Sequence, residues 1–187
     1  MVRRKMRRFG KRLVDLGLTH SNFGNLSVRA DDKIFITRKG SRLDDLRRNN
    51  IICVDLARPG RADEVVSIEL VVHRDIYLTT EALAIIHAHS PFAVIQSMLC
   101  KDDKVIPSEA EGKYLLAEIP IITGESGSKE LAQKAAQAFK EHKGIIIREH
   151  GTMAAGSTTE EAYNIICSIE HVCKVKYFLD TFLTHQG

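Results

Sequence analysis

Short apolar runs alternate along the chain with stretches of helical period. Residues 3 to 16 read as a helix stopped near Gly17. Asn25 to Arg29 alternates like a strand, Asp31-Asp32 reads as a turn, and Lys33 to Thr37 reads as the returning strand of a hairpin. Arg42 to Asn50 is polar, a short helix or turn leading into a strand at Ile51 to Leu56 and a loop at Ala57 to Gly60. From Glu69 to Thr80 the apolar residues Leu70, Val71, Ile76 and Tyr77 have roughly helical spacing. Ala84 to His89 is an apolar run stopped by Ser90-Pro91, hence a strand end, and Phe92 to Leu99 opens a helix with Pro91 in its first turn. Ile119 to Ile122 is a further strand-sized run. Lys129 to His142 is rich in helix formers, and Gly144 to Glu149 reads as a buried strand. Thr158 to Leu183 reads as a long helix, with Thr158 and Glu161 at capping-box spacing. Strands and helices alternate, but one early pair is a hairpin, so the pattern predicts an α/β domain with a mixed or mostly antiparallel sheet.

Composition narrows the class. The chain has 187 residues, 44% hydrophobic and 27% charged, enough for one domain with a sizeable core. No apolar run approaches the ~20 residues that span a bilayer, so no membrane partner is expected. The net charge is +3, and much of the excess sits in Arg3, Arg4, Lys5, Arg7, Arg8, Lys11 and Arg12. That cluster fits a nucleic-acid arm or a solvated first helix. Only Phe9 interleaves it, so the solvated helix is favoured and no nucleic-acid partner is expected. No apolar segment follows the charges, so a secretory signal is not expected. Cys53, Cys100, Cys167 and Cys173 show no C-x-x-C spacing. They read as reduced packing residues of a cytoplasmic protein.

Candidate chemistry lies at the ends of two apolar runs. His87 and His89 stand at positions i and i+2 of a strand, which share a face. Two adjacent imidazoles suit zinc or another transition ion, although paired structural histidines give the same pattern. His150 closes the run Ile145 to Glu149, so three imidazoles could meet at one sheet edge. Each ligand's other ring nitrogen is then expected to meet a carbonyl or carboxylate. His20, His73, His142, His171 and His185 sit in polar or helical contexts and read as surface or packing residues. Glu69 lies between Ile68 and Leu70. It is either a helix-start carboxylate exposed to water or an acid/base or fourth metal ligand.

The order of these pieces resembles the class II aldolase/adducin family, typified by L-fuculose-1-phosphate aldolase. The matching segments are Ser21 to Arg29, Phe35 to Gly40, Ser67-Ile68-Glu69 with His73, His87 to Pro91, Gly127 to Ala132, and Arg148 to Gly151. They span about residues 10 to 180. The resemblance implies a single domain over residues 1–187 with a three-layer α/β/α fold and a central mixed, largely antiparallel sheet. It implies Zn2+, or another divalent transition ion, on His87, His89 and His150, with Glu69 as acid/base and occasional metal ligand. It places a substrate phosphate near Asn25, Lys39, Gly40 and Ser67, and implies a homotetramer with active sites between subunits.

The implied activity is a zinc-dependent lyase. It would reversibly cleave a small phosphorylated sugar or hydroxy-ketone into an aldehyde and a ketone such as dihydroxyacetone phosphate, through a metal-stabilised enediolate. A methylthioribulose-phosphate dehydratase, a sugar-phosphate epimerase and a non-catalytic adducin-like interaction module are the alternatives on the same fold. The chain departs from the family in four places. Ile68 stands where a second serine is common, and Lys39 where a small hydroxyl residue is common. The segment Pro120 to Gly124 lacks the tyrosine common after this proline, and no tyrosine lies beyond Tyr177.

Overall fold

The structure is a computed structural model and describes residues 1–184, so His185 lies outside it. The order of elements is α1 (Val2–Asp15), β1 (Asn25–Ala30), β2 (Lys33–Thr37), β3 (Ile51–Asp55), α2 (Leu70–Thr79), β4 (Ala84–Ala88), α3 (Pro91–Leu99), β5 (Lys104–Val105), α4 (Ala110–Leu116), β6 (Ile119–Ile122), α5 (Lys129–Ala138), β7 (Gly144–Ile147), β8 (Gly151–Gly156) and α6 (Thr159–Thr184). The strands form one sheet in the order β3-β2-β1-β4-β8-β7-β6-β5. Only β6 and β7 pair in parallel. The sheet is therefore mixed and largely antiparallel, as the alternation of elements predicts.

Helices cover both faces, which is why β4 and β7 are largely apolar rather than alternating. In β4, Ile86 and Ala88 pack towards α1, α3 and α6, together with Met6, Leu13, Ala93 and Ile166. Ile85 faces the opposite layer of α2 and α5, with Val72, Ile76, Leu131 and Ala135. In β7, Ile146 faces the first layer and Ile145 and Ile147 the second. Helix α1 buries Met6, Phe9 and Leu13 against the sheet. It leaves Arg4, Lys5, Arg7, Arg8 and Lys11 in solvent, the solvated-helix outcome.

Several boundaries differ from the sequence pattern. Helix α5 ends at Ala138, four residues before His142. The chain tightens into i→i+3 bonds there, from Lys140 N–H to the Gln137 carbonyl and from Glu141 N–H to the Ala138 carbonyl. The strand expected to run to Glu149 stops at Ile147. Strand β8 carries no β-rich pattern. Its Gly, Ala and Thr residues make a central strand only because β4 and β7 pair with it on either side. The short β5 and α4 were also absent from the pattern. At α6 the capping box is half-formed. Thr158 Oγ1 accepts from Glu161 N–H at 3.0 Å, but the Glu161 carboxylate turns to Ser157 instead. Cys53, expected to be packed, is exposed on β3, at the edge of the sheet, and all four cysteines are free.

Two glycines let the neighbouring backbones close on the histidine strand. A Cβ on Gly24, which holds φ +80°, would fall on the His87 carbonyl, and one on Gly151 would fall on the Ala88 carbonyl. Gly24→Ala and Gly151→Ala should each cost about 1–3 kcal/mol, because backbone must move to make room. Gly60→Ala, which meets nothing within 4 Å, should be near neutral. Urea unfolding of the three variants checks the contrast.

Candidate metal centre and anion pocket

Strand parity brings the first two histidines together. His87 shares the face of Ile85, covered by α2, and β4 ends at Ala88, so His89 is the first residue beyond it. His150 does not close a strand. It stands in the tight turn between β7 and β8, with its N–H bonded to the Ile147 carbonyl at 3.1 Å. Glu149 in that turn holds φ +61°, a left-handed conformation costing about 1–2 kcal/mol for a side-chain-bearing residue. The three rings nonetheless converge, with centroids 4.7–4.9 Å apart. One nitrogen from each lies within 4.8 Å of the others.

Each imidazole is held differently. His87 Nδ1 is 2.9 Å from the Thr152 carbonyl. The carbonyl can only accept, so Nδ1 carries the proton and Nε2 presents its lone pair. That Nε2 is buried and has no hydrogen-bond partner. A bare buried acceptor costs about 1–3 kcal/mol unless something fills it, and a cation between three imidazoles would. His89 is stacked on Phe23, with ring centroids 5.1 Å apart, and its N–H donates to Thr19 Oγ1. Among the described residues the rings of His89 and His150 have no hydrogen bond, so the expected partner for every second nitrogen is met at His87 alone. Burial holds the His89 pKa down to about 3 and lowers that of His150. Both offer neutral, ligating imidazole at neutral pH.

Glu69 sits at the N-terminus of α2 and is 2% exposed, which overturns the solvent-exposed alternative. Its Oε2 accepts from Asn25 Nδ2 at 2.8 Å, and its Oε1 from Ser126 Oγ at 3.0 Å. Oε2 lies 3.6 Å from His87 Nε2, and Oε1 lies 4.0 Å from His150 Nδ1. Burial disfavours the charged form. Positive charge on the His87 imidazole when protonated, the Asn25 bond, and likewise charge on protonated His73 and His150 outweigh it and hold the carboxyl at about 2. Three nitrogens with one carboxylate at the fourth side suit a borderline-soft divalent ion.

These groups form one wall of a pocket of about 210 Å³. The same pocket is lined by Asn25, Lys39, Gly40 and Ser67, so the structure brings all the candidate residues together. Lys39 is exposed, and no hydrogen bond or ion pair engages its ammonium among the described residues. Gly40 holds φ +70°, and a Cβ placed on it would meet nothing within 4 Å, so the space beside its backbone is open to a ligand. Ser67 Oγ accepts from Glu69 N–H at 3.3 Å. Asn25 donates its amide N–H to Glu69, while its Oδ1 is buried without a partner.

Sequence reasoning missed Ser126, Arg38, Ser41 and Phe23 as pocket residues. Arg38 and Phe23 lie inside the quoted segments and could have been drawn from them. Ser126 carries no local signal, because only folding brings its loop to Glu69.

The family described as Class II Aldolase and Adducin N-terminal domain matches residues 4–177. The 5-methylthioribulose-1-phosphate/5-deoxyribulose-1-phosphate aldolase of Rhodospirillum rubrum is 29% identical over 168 residues, which cover 88% of this chain and 75% of that protein. The L-fuculose phosphate aldolase of Haemophilus influenzae is 30% identical over 165 residues, 84% of this chain and 74% of that protein. Among solved structures, l-fuculose-1-phosphate aldolase from Thermus thermophilus superposes with a TM-score of 0.91 at 29% identity, over 98% of this chain and 96% of that one.

Behind Glu69 lies a second buried network. Ser27 Oγ is 2.6 Å from His73 Nδ1 and 2.7 Å from the Tyr77 hydroxyl, and His73 Nε2 has no partner. Burial lowers the His73 pKa from 6.5 to about 4, with the nearby Glu69 opposing and His87 reinforcing that shift. Between those values the unfolded chain holds a proton that the native protein excludes. The contribution of neutral His73 is therefore complete above about pH 6.5 and is lost as pH falls towards 4. Urea midpoints should drop across that window, and His73→Gln should flatten the drop.

Proposed function

The chain belongs to the class II aldolase/adducin family, and from that premise we propose that it is a zinc-dependent aldolase cleaving a small sugar phosphate into an aldehyde and a ketone such as dihydroxyacetone phosphate. The carrying observation is the buried Glu69 carboxylate, fixed by Asn25 and Ser126 and facing three converging imidazoles. On this reading His87, His89 and His150 hold the ion, and the unfilled lone pair of His87 Nε2 is the feature that best fits one. When bound, the metal supplies Lewis-acid stabilisation of negative charge developing on substrate oxygens.

The protein's own groups do the rest. Glu69 is ionised in the resting pocket, so it is ready to accept a proton. In condensation it takes the proton from the carbon next to the ketone carbonyl. In cleavage it takes up the proton released as the substrate hydroxyl becomes the aldehyde carbonyl and passes one to that carbon, which keeps the electron pair of the broken bond. Lys39, the backbone around Gly40, Asn25 and Ser67 bind the phosphate and so fix the reacting carbon near Glu69. The named activities of the two aldolase relatives, both on phosphorylated ketoses, support this substrate class.

We further read residues 1–187 as one domain and the active protein as a cytoplasmic homotetramer. Phe23 and Ile68 are half-exposed at the pocket, which suits closure by a neighbouring subunit. Among the described residues no helix is long and apolar enough to cross a membrane.

Metal analysis of the purified protein, with a screen of ketose phosphates for aldehyde release, tests the reading. Glu69→Gln should keep fold and metal and lose about a hundred- to ten-thousand-fold in kcat, with little change in KM. A variant within threefold of the parent kcat would remove Glu69 from the proton transfer. Lys39→Ala should raise KM for a phosphorylated substrate about tenfold, the worth of one charge-assisted hydrogen bond. It should leave an unphosphorylated analogue unaffected, and an equal effect on both would refute phosphate reading by Lys39.

A further inference from the structure

We infer that helix α3 is a strut linking two of the proposed metal ligands, and that Arg148 is a positioning residue for His150 through its grip on the far end of that helix. The inference rests on reading His89 and His150 as ligands. It adds residues that touch neither metal nor substrate.

The ring of His150 has no hydrogen-bond partner among the described residues, so the turn at 148–150 determines where it points. That turn contains the left-handed Glu149, a conformation that persists only where surrounding contacts over-determine it. Those contacts converge on the end of α3. The Arg148 guanidinium donates through Nη1 to the carbonyls of Ser97 and Cys100, and through Nη2 to Asp103 Oδ1 at 3.1 Å. Glu149 N–H donates to the buried Ser97 Oγ at 2.9 Å, and Arg148 N–H donates to the Ile122 carbonyl at 2.9 Å. Ser97 lies in the last turn of α3, whose carbonyls have no partner within the helix. A cation at this end also complements the helix dipole.

The other end of α3 is held by the opposite charge. Phe92 and Ala93 donate their N–H groups to the two carboxylate oxygens of Glu170, each at 3.0 Å. Helix α3 begins at Pro91, two residues after His89. One rigid helix, pinned by Glu170 of α6 at its start and Arg148 at its end, thus joins the backbone carrying His89 to the turn carrying His150. Asp103 is 86% exposed, so the carbonyl bonds, more than this ion pair, carry the hold.

Zinc affinity measured by competition with a chromogenic chelator tests the strut, with circular dichroism and thermal unfolding reporting the fold. Arg148→Ala should weaken zinc binding ten- to a hundredfold, as loss of a group orienting a ligand does. Arg148→Lys should recover part of it, and Glu170→Gln should lose a few-fold. Arg74→Ala is the control. Arg74 makes a similar half-buried clamp to Asp63 and to the carbonyls of Asp55 and Leu56, outside the pocket. It should lower thermal stability yet keep zinc affinity within twofold. Parent-like zinc affinity in folded Arg148→Ala overturns the strut, and so does an equal loss in Arg74→Ala. If Arg148→Ala does not fold, parent-like affinity in both Arg148→Lys and Glu170→Gln overturns it. Parent-like affinity in His150→Ala would instead overturn the ligand assignment itself.

Discussion

The bond from Asn25 to the Glu69 carboxylate is the contact on which the site depends. A carboxylate taken out of water costs several kcal/mol unless it is paired and hydrogen-bonded. Here β1 supplies the amide, a loop before α5 supplies the Ser126 hydroxyl, and β4 and the β7–β8 turn supply imidazoles. Two separate parts of the chain must bond the carboxylate before its charge is tolerable, and two more bring the imidazoles beside it. The pocket is thus a by-product of satisfying one buried anion, and the same demand keeps it polar in the middle of an apolar fold.

The sheet makes that arrangement possible. With helices on both faces, β4 can be apolar until its outer end, where His87 and then His89 emerge on the α2 side. Gly24 and Gly151 bring β1 and the start of β8 hard against the carbonyls of His87 and Ala88. Thr152 then serves two purposes. Its carbonyl selects the tautomer of His87, and its hydroxyl donates to the Ala88 carbonyl while meeting Ser90 Oγ at 2.8 Å. The lone pair left on His87 Nε2 follows from that backbone contact.

Polar networks stand on either side of the site. On the α2 side, Ser27, His73 and Tyr77 bury a hydrogen-bonded chain beneath Glu69. On the α3 side, Glu170 and Arg148 fasten a helix by its two ends. These groups do not line the pocket, yet they hold the elements that do. Buried polar contacts are directional, so they locate side chains more sharply than apolar packing, which tolerates sliding.

Local sequence determined the elements and the faces. Period-two spacing marked His87 and His89 as emerging together at the end of a strand, and the apolar runs made β4 and β7 interior strands. A glutamate inside an apolar run marked a carboxylate in need of partners. These are short-range properties, legible because side-chain direction follows from backbone period. Tertiary structure decided what spacing cannot express. The small residues of β8 became a central strand through pairing with β4 and β7, and His150 came to the site on a turn rather than a strand end. Ser126 met Glu69 across 57 positions, and Arg148 reached Ser97 across 51. Contacts at such separations leave no periodic trace in the residues that make them, because the energy that selects them exists only once the sheet has closed.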